Sequence, residues 1–339
     1  MEKILFLAHV DSEGRLPKLA LETLSAASQI SGGQFQVALI GDDTSQAANQ
    51  IGSCGADAFF SVSGEAFRDS RYATDAAATE ALVQAAQATL VIAPSTSRFA
   101  RAIPGAAARL NGAVDTRINA IDTSGEELSI QRWFYRQRLL GSISKKKRPW
   151  FLLLDSGLFN PWSGDQKEVA TQAVSVELTA PMTQTRVLGV EKPSSDSQTI
   201  KPDSHLLFVA GAGWSKKQSD GGVHVGRAEK TIVDFLSVSG ASLGSSKSLV
   251  DQSSEGQEVL SFMSHLNQVG QTGSSPRHPK GLATCCHGEE PHVVGWRFIN
   301  ERRAINTDAN CGWARGKADV VYVADAFEVM EKVNQLLNK

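Results

Sequence analysis

Two parallel α/β domains are predicted by three features of this sequence. Short apolar runs alternate with helical patterns through the first half. A polar, turn-rich break follows near residue 194, and the same alternation then restarts. The chain has 339 residues, of which 41% are hydrophobic and 21% charged, enough to bury more than one core. The predicted fold class is therefore α/β, each domain having a mainly parallel sheet flanked by helices.

The elements follow in order. Residues 4–10 read as a buried strand. Residues 16–30 carry Leu19, Leu21, Leu24 and Ala27 near helical spacing, and residues 35–40 are the next strand. A helix opens at Thr44, whose hydroxyl is a candidate cap. Residues 58–62 are strand-like, residues 75–88 are Ala-rich and helical, and residues 89–93 are again a strand. This rhythm predicts a parallel sheet covered on both faces. Residues 113–121, 128–134, 138–144 and 150–154 are closely spaced β candidates, read as hairpin-like strands appended to that sheet. Ser194 to Thr199, between Pro193 and Pro202, reads as a linker. The expected division is a domain over 1–190, a linker over 191–203 and a domain over 204–339. The second domain opens with a strand at 206–210, the turn Gly211-Ala212-Gly213 and a helix at 227–238. It closes with a strand at 320–324 and a helix at 327–337.

Composition narrows the function. The formal net charge is −2, so no global basic field argues for nucleic acid. Four cysteines (Cys54, Cys285, Cys286 and Cys311) fit a reducing compartment rather than a disulfide scaffold. The N-terminal apolar run is too short to span a membrane and lacks a signal-peptide cleavage pattern. The expectation is a soluble cytoplasmic protein, or a mature organellar one. Cys285, Cys286 and Cys311 with His287 are a metal or redox constellation only on paper. No C-x-x-C spacing is present, and buried packing residues are the simpler reading, so no metal is expected. Ser144-Lys145-Lys146-Lys147-Arg148 is a basic run, read as solvated surface in preference to a hairpin loop facing a partner. Of the six tryptophans, Trp214 and Trp313 lie in glycine-flanked loops and are candidates to stack on a ligand.

Several stretches, in order, resemble the electron-transfer flavoprotein alpha family. Ala93-Pro94-Ser95-Thr96-Ser97-Arg98-Phe99-Ala100-Arg101, followed by Ala106 to Leu110, is similar to its P-A-T-S-x-G-R-D…A-A-R-L segment. Tyr135 with Arg148-Pro149 resembles its hairpin and exit strand. In the second domain, Gly240 to Asp251 resembles G-G-x-x-G-A-S-R-A-A-V-D, and Val269-Gly270-Gln271-Thr272-Gly273 matches V-G-Q-T-G. Cys286 to Gly295 lies where the family has I-S-G-A-I-Q-H-x-A-G. Ala304-Ile305-Asn306-Thr307-Asp308 resembles A-I-N-x-D, and Ala318-Asp319 with Asp325-Ala326-Phe327 resembles the closing A-D…D-x-F.

The resemblance implies the alpha subunit of a heterodimer whose C-terminal domain binds FAD. It implies a beta subunit that often carries AMP, a flavin-dependent dehydrogenase as electron donor, and a membrane quinone oxidoreductase or another acceptor. It implies an electron carrier rather than a substrate-converting enzyme, so no catalytic residue is assigned. The implied cofactor-binding residues are Ser246, Lys247, Gly270, Gln271, Thr272, Gly273, Gly288, His292, Asn306, Asp308 and Asp325. Thr272 corresponds to the threonine beside the flavin N5 edge. Small flanking glycines also suit close backbone approach to a ligand. Lys247 replaces the family's Arg over the flavin, keeping the charge but losing the planar guanidinium. Ser246 either binds a phosphate oxygen or caps a helix. His292 corresponds to the histidine near the flavin O2. Asn306, Asp308 and Asp325 correspond to positions at the adenosine end, with turn or cap roles as their plain alternatives.

The departures lie in the pocket. Gly211-Ala212-Gly213-Trp214 lacks the Arg of G-G-R-G, Ser274 replaces a Lys, and Glu289 and Glu290 add negative charge. Fewer cations beside a flavin disfavour its anionic forms. The alternative reading is a flavin-free nucleotide-binding or assembly subunit that kept the fold.

Overall fold

The computed structural model describes residues 2–123, 125, 127–134, 139–189, 200–201, 204–252, 259–269, 278–284 and 299–338. The chain separates into two compact units, Met1–Val190 and Glu191–Lys339. The proposed linker at 191–203 lies mostly outside the described residues.

The N-terminal unit is built on a nine-stranded sheet. Its strands are β1 (Ile4–His9), β2 (Gln36–Gly41), β3 (Ala58–Ser63), β4 (Leu90–Pro94), β5 (Ala113–Asp122), β6 (Ser129–Phe134), β7 (Leu139–Ser144), β8 (Trp150–Leu154) and β9 (Gln172–Ala173). Their order is β7-β6-β5-β8-β4-β1-β2-β3-β9. All neighbours from β5 to β9 pair in parallel, while β6 and β7 add an antiparallel hairpin. Helices α1 (Lys18–Ser31), α2 (Ser45–Gln50), α3 (Tyr72–Ala85) and α4 (Ser97–Arg109) connect the parallel strands. Apolar side chains from alternate positions of β1 fall into two separate cores: Phe6 packs with Leu24 and Val37, and Leu5 and Leu7 pack with Ile40 and Phe99. That is the signature of a strand buried on both faces.

Two expectations are corrected here, and one helix is added. Trp150–Leu154 is not part of an appended hairpin; β8 lies inside the parallel sheet, between β4 and β5. Its five residues are all buried, which fits an unbroken apolar run. The Thr44 hydroxyl does not cap α2; it stands 3.1 Å from Ser63 Oγ and ties the ends of β2 and β3 together. Ser97–Arg109 forms a helix despite Pro104 in its interior, with Thr96 capping it through Phe99 N–H.

The outer hairpin is fastened by one buried carboxylate. Asp115 accepts from Arg132 Nη1 at 2.6 Å and Trp150 Nε1 at 2.9 Å, and Lys145 Nζ also contacts it. Beyond β8, residues 155–189 run over the surface as a strap. Trp162 N–H donates to Leu21, Lys167 N–H to Asn49, and Val174 N–H to Ser61, while Arg71 Nε reaches the Thr185 carbonyl. Gly52 permits this docking: a Cβ there would stand 1.9 Å from the Lys167 carbonyl oxygen.

The C-terminal unit has a five-stranded, wholly parallel sheet. Its strands are β10 (Leu206–Ala210), β11 (Ser242–Ser245), β12 (His278–Thr284), β13 (Ile299–Asn306) and β14 (Val320–Val323), ordered β11-β10-β12-β13-β14. Helices α5 (Val225–Ser239), α6 (Lys247–Asp251), α7 (Gly312–Lys317) and α8 (Ala326–Leu337) accompany them. Phe208, Trp214, Ile232, Phe235, Phe327 and Met330 form one core and Leu207, Val209, Val269, Ala283 and Ala314 the other. Among the described residues, no helix is long and apolar enough to cross a membrane.

Candidate functional site

The strand order of the second sheet selects its ligand edge. β10 is followed by β11 on one side, and the chain then crosses to β12 on the other. Open parallel sheets bind ligands beyond the carboxyl ends of their strands, where the direction of winding reverses. The residues leaving β10, β11, β13 and β14 at that end are therefore the candidates.

After β10, Gly211 leads into a tight turn over Ala212–Ser215. Trp214 is not available to stack on a ligand. Its ring is fully buried, packs 4.5 Å from the Phe327 ring, and donates through Nε1 to Thr284 Oγ1 at 2.8 Å. It anchors the β10 turn to the end of β12. The side chain of Trp313 lies outside the described residues.

After β11, Ser246 caps α6 by accepting from Leu249 N–H, so the capping alternative is realised. Lys247 opens that helix, with its ammonium 3.7 Å from Asp251, a carboxylate that also takes His265 Nε2 at 2.9 Å. After β13, Asn306 Oδ1 accepts from Asp308 N–H, and Asp308 Oδ1 accepts from Asn310 N–H. After β14, Asp325 caps α8 through Phe327 N–H and Glu328 N–H. Asn306 and Asp325 come together in a cleft of about 370 Å³, with Lys217, Ser219 and Thr307 on its walls. Ser246, Lys247 and Asp308 do not line it. Gly270, Gln271, Thr272, Gly273, Gly288 and His292 lie outside the described residues, as do Cys285, Cys286 and His287. Among the described residues, no three His, Cys, Asp or Glu side chains are grouped to hold a metal.

Two residues assigned no role in the sequence reading, Ser245 within the Gly240-to-Asp251 stretch and Gln268 outside every quoted stretch, stand at this edge. Gln268 pairs with Ser245 in a parallel bridge, and Val269 N–H donates to the Ser245 carbonyl at 3.1 Å. Leu243 faces the core that contains Phe208, and Ser245, two residues on, faces the same side. Gln268 shares that face as its cross-strand neighbour. Both are buried, yet among the described residues Ser245 Oγ, Gln268 Oε1 and Gln268 Nε2 have no hydrogen-bond partner, and neither has Nδ2 of the adjacent Asn267. The only sequence signal is position, since Gln268 and Val269 lead directly into Gly270.

The carboxyl edge of the first sheet is furnished differently. Asp75, fully buried, receives Arg98 Nε at 2.9 Å, Arg98 Nη2 at 2.6 Å and Arg71 N–H at 3.2 Å. The same guanidinium donates to the carbonyls of Phe67, Arg68 and Asp69. Burial works to raise the Asp75 pKa, but His9 and Arg98 outweigh it and hold the carboxyl below its ordinary value. His9, at the end of β1, lies against Phe99 with Nε2 3.4 Å from Asp75. Burial pushes its pKa down, against the pull of that carboxylate. A neighbouring cleft of about 600 Å³ is lined by Asp11, Glu13, Asp42, Asp43 and Asp69, with Arg68 among the carboxylates.

Residues 4–181, which span this first unit almost completely, match the family described as electron transfer flavoprotein domain. The chain belongs to the electron transfer flavoprotein family. No curated protein matches it. In this member, the N-terminal edge suits an anionic cofactor poorly. Its clefted surface is acidic, and Arg98 is already spent on Asp75 and three carbonyls. A pyrophosphate placed there would meet more carboxylates than cations. The match ends before the second unit, whose parallel sheet keeps an open cleft at its own carboxyl edge.

Proposed function

We propose that this chain is the alpha subunit of a heterodimeric electron-transfer flavoprotein, carrying electrons on FAD held by the C-terminal unit. Family membership of residues 4–181 carries this reading. Three features of the C-terminal unit fit the cofactor. Its winding reverses between β10 and β12, where parallel sheets take nucleotides. Asn306 and Asp325 share one cleft. Buried polar atoms at Ser245 and Gln268 have no partner among the described residues, as they would beside a ligand that supplies their hydrogen bonds.

On this reading the flavin supplies the redox chemistry and the protein supplies binding and electrostatics. Gly270, Gln271, Thr272, Gly273, Gly288 and His292 form the ring side. Asn306, Asp308 and Asp325 serve the adenosine side, and Ser246 and Lys247 the edge beside β11. Asp325 keeps one side-chain oxygen outside its cap bonds, since both accepted N–H groups go to Oδ1. No bond of a substrate is made or broken, so no general base or nucleophile is assigned. A beta subunit, with AMP in it, completes the carrier. A flavin-dependent dehydrogenase reduces it, and a quinone oxidoreductase or another acceptor reoxidises it in the cytoplasm.

A second reading, a flavin-free assembly subunit, is favoured by one observation: Trp214 is packed as core where the resemblance calls for an arginine turn. Purification of the tagged chain with whatever subunit accompanies it separates the two. A yellow two-subunit complex with one FAD supports the leading reading. A colourless complex that stays colourless with added FAD overturns it in favour of the second.

A further inference from the structure

His9 is the odd group in a cluster that is otherwise paired. Its side chain is only 9% exposed, yet neither ring nitrogen has a hydrogen-bond partner among the described residues. Nε2 stands 3.4 Å from Asp75 Oδ1, too far for a good bond, and that oxygen already takes Arg98 Nη2 at 2.6 Å. The ring centroid lies 4.1 Å from that of Phe99, and the strand neighbour on β2 is Ile40. Among the described residues, the charged groups facing His9 are Asp75 of α3 and Arg98 of α4. A neutral imidazole tolerates this setting at modest cost. An imidazolium does not, because it brings a charge and a second N–H donor into a site where an unpaired charge is far more costly than an unpaired neutral group. Asp75 is the carboxylate within reach, and a shift of about half an ångström would make the bond.

Arg98 is the group that can give way. Besides Asp75 it holds the carbonyls of Phe67 at 2.7 Å, Arg68 at 3.0 Å and Asp69 at 3.1 Å, so one guanidinium fastens that loop to α3 and α4. Its side chain is 14% exposed where that of Asp75 is fully buried. It also lines the neighbouring cleft with Asp11, Asp42 and Asp69, so a guanidinium leaving Asp75 moves toward other carboxylates. Two cations crowded on one buried carboxylate repel each other, and the one with access to water leaves at less cost. We propose that protonation of His9 transfers Asp75 from Arg98 to the imidazolium and releases the Arg98 clasp on residues 67–69. Arg68 and Asp69 line the cleft, so the release reshapes its wall. The proton comes from solvent and no covalent bond to carbon changes. Burial holds the His9 pKa below its ordinary value of about 6.5, which puts the release on the acid side of that pH. This inference does not depend on the flavin proposal, since every group in it belongs to the N-terminal unit.

Amide hydrogen exchange reads the clasp directly, on the full chain with any subunit that accompanies it. After correction for the pH dependence of intrinsic exchange, protection over residues 64–75 should fall about tenfold between about pH 7.5 and about pH 5 in the wild-type protein. Residues 150–154, in the middle of the sheet, should hold their protection across the same range. His9→Phe keeps a ring against Phe99 and takes no proton, so its protection over 64–75 should be the same at both ends. His9→Gln is equally unable to titrate and serves as the readout if His9→Phe fails to fold. A fall of wild-type size in the His9 variants overturns the switch. So does a wild-type protein protected alike at both pH values, and so does loss of protection over 150–154 in step with 64–75, because the opening would then be global.

Discussion

In the N-terminal unit, the Asp75 side chain is buried and paired with donors; in the C-terminal unit, the side chains of Ser245 and Gln268 are buried with no hydrogen-bond partner among the described residues. Both groups sit at the carboxyl edge of a parallel sheet, so topology does not distinguish them. The difference is in what the surrounding chain does. Around Asp75, three carbonyls and a carboxylate converge on one guanidinium and occupy its donors, and only the ring nitrogens of the neighbouring His9, Nε2 standing 3.4 Å from Asp75, lack a hydrogen bond at this cluster among the described residues. Around Ser245, the backbone is locked and the side chains are left over. A saturated network specifies a fold, while an unsaturated one weakens it and persists where something else uses it.

The largest test of this contrast is Asp75→Asn. It leaves the largely buried Arg98 charge without its counterion and should destabilise the N-terminal unit by about 3–5 kcal/mol. Ser245→Ala, at the other edge, should change stability by less than about 1 kcal/mol. Urea unfolding of both variants measures this, and similar losses would erase the distinction. Gly244→Ala comes next. The new methyl would meet Val269, and overpacking of this kind costs about 1–3 kcal/mol. If the frame around Gln268 is as rigid as its contacts indicate, thermal unfolding will register that loss. Asp325→Ala removes the α8 cap and should cost about 1 kcal/mol, whereas Asp325→Asn keeps a good cap. Weakened FAD binding by the Asp325→Asn protein, at an undiminished melting temperature, would separate ligand contact from capping.

The gentlest effect is in pH. His9 has a folded pKa below its unfolded value of about 6.5, so its contribution to stability is complete above that pH and is lost as pH falls. Asp75, also depressed, contributes above about pH 3.9 and loses its contribution as pH falls through its folded value. His9→Phe should therefore flatten the decline just below about pH 6.5 relative to wild type and leave the acid limb in place. An unchanged profile would show that His9 is not charged on unfolding in that window.

How much of this was legible depended on side-chain chemistry at each element. β1, β2 and β10 are apolar runs and read directly as buried strands. β8 carried the same signal, Trp150 to Leu154, but its nearness to two hairpin strands drew it into the wrong group. β11 is Ser-Leu-Gly-Ser, and β12 contains Pro279 and Gly281; neither has local strand preference, and both exist because the sheet on either side demands them. β13 carries Glu301, Arg302 and Arg303 in succession, and beyond Ile299 only its last three residues are buried. At the candidate site, Asn306 and Asp325 were legible through the resemblance, and their cap and turn bonds through residue type. Gln268 was not, because an unpaired amide is invisible until its neighbours are known to bond elsewhere. Trp214 misled for the opposite reason: flanking glycines suggested an open loop, while Thr284 and Phe327, distant in sequence, enclose it.

The strap over residues 155–189 sets the order in which the first unit is completed during synthesis. The open edge of β3 is covered only when Gln172 and Ala173 pair with it, more than a hundred residues after it is made. Arg71 waits equally long for the Thr185 carbonyl. A nascent chain emerging to Leu154 has its parallel core strands but presents a bare strand edge, and the apolar faces that later receive Phe159, Trp162 and Val169 remain uncovered. Chain extension past residue 185 therefore ends the interval in which that edge is open to pairing with other chains.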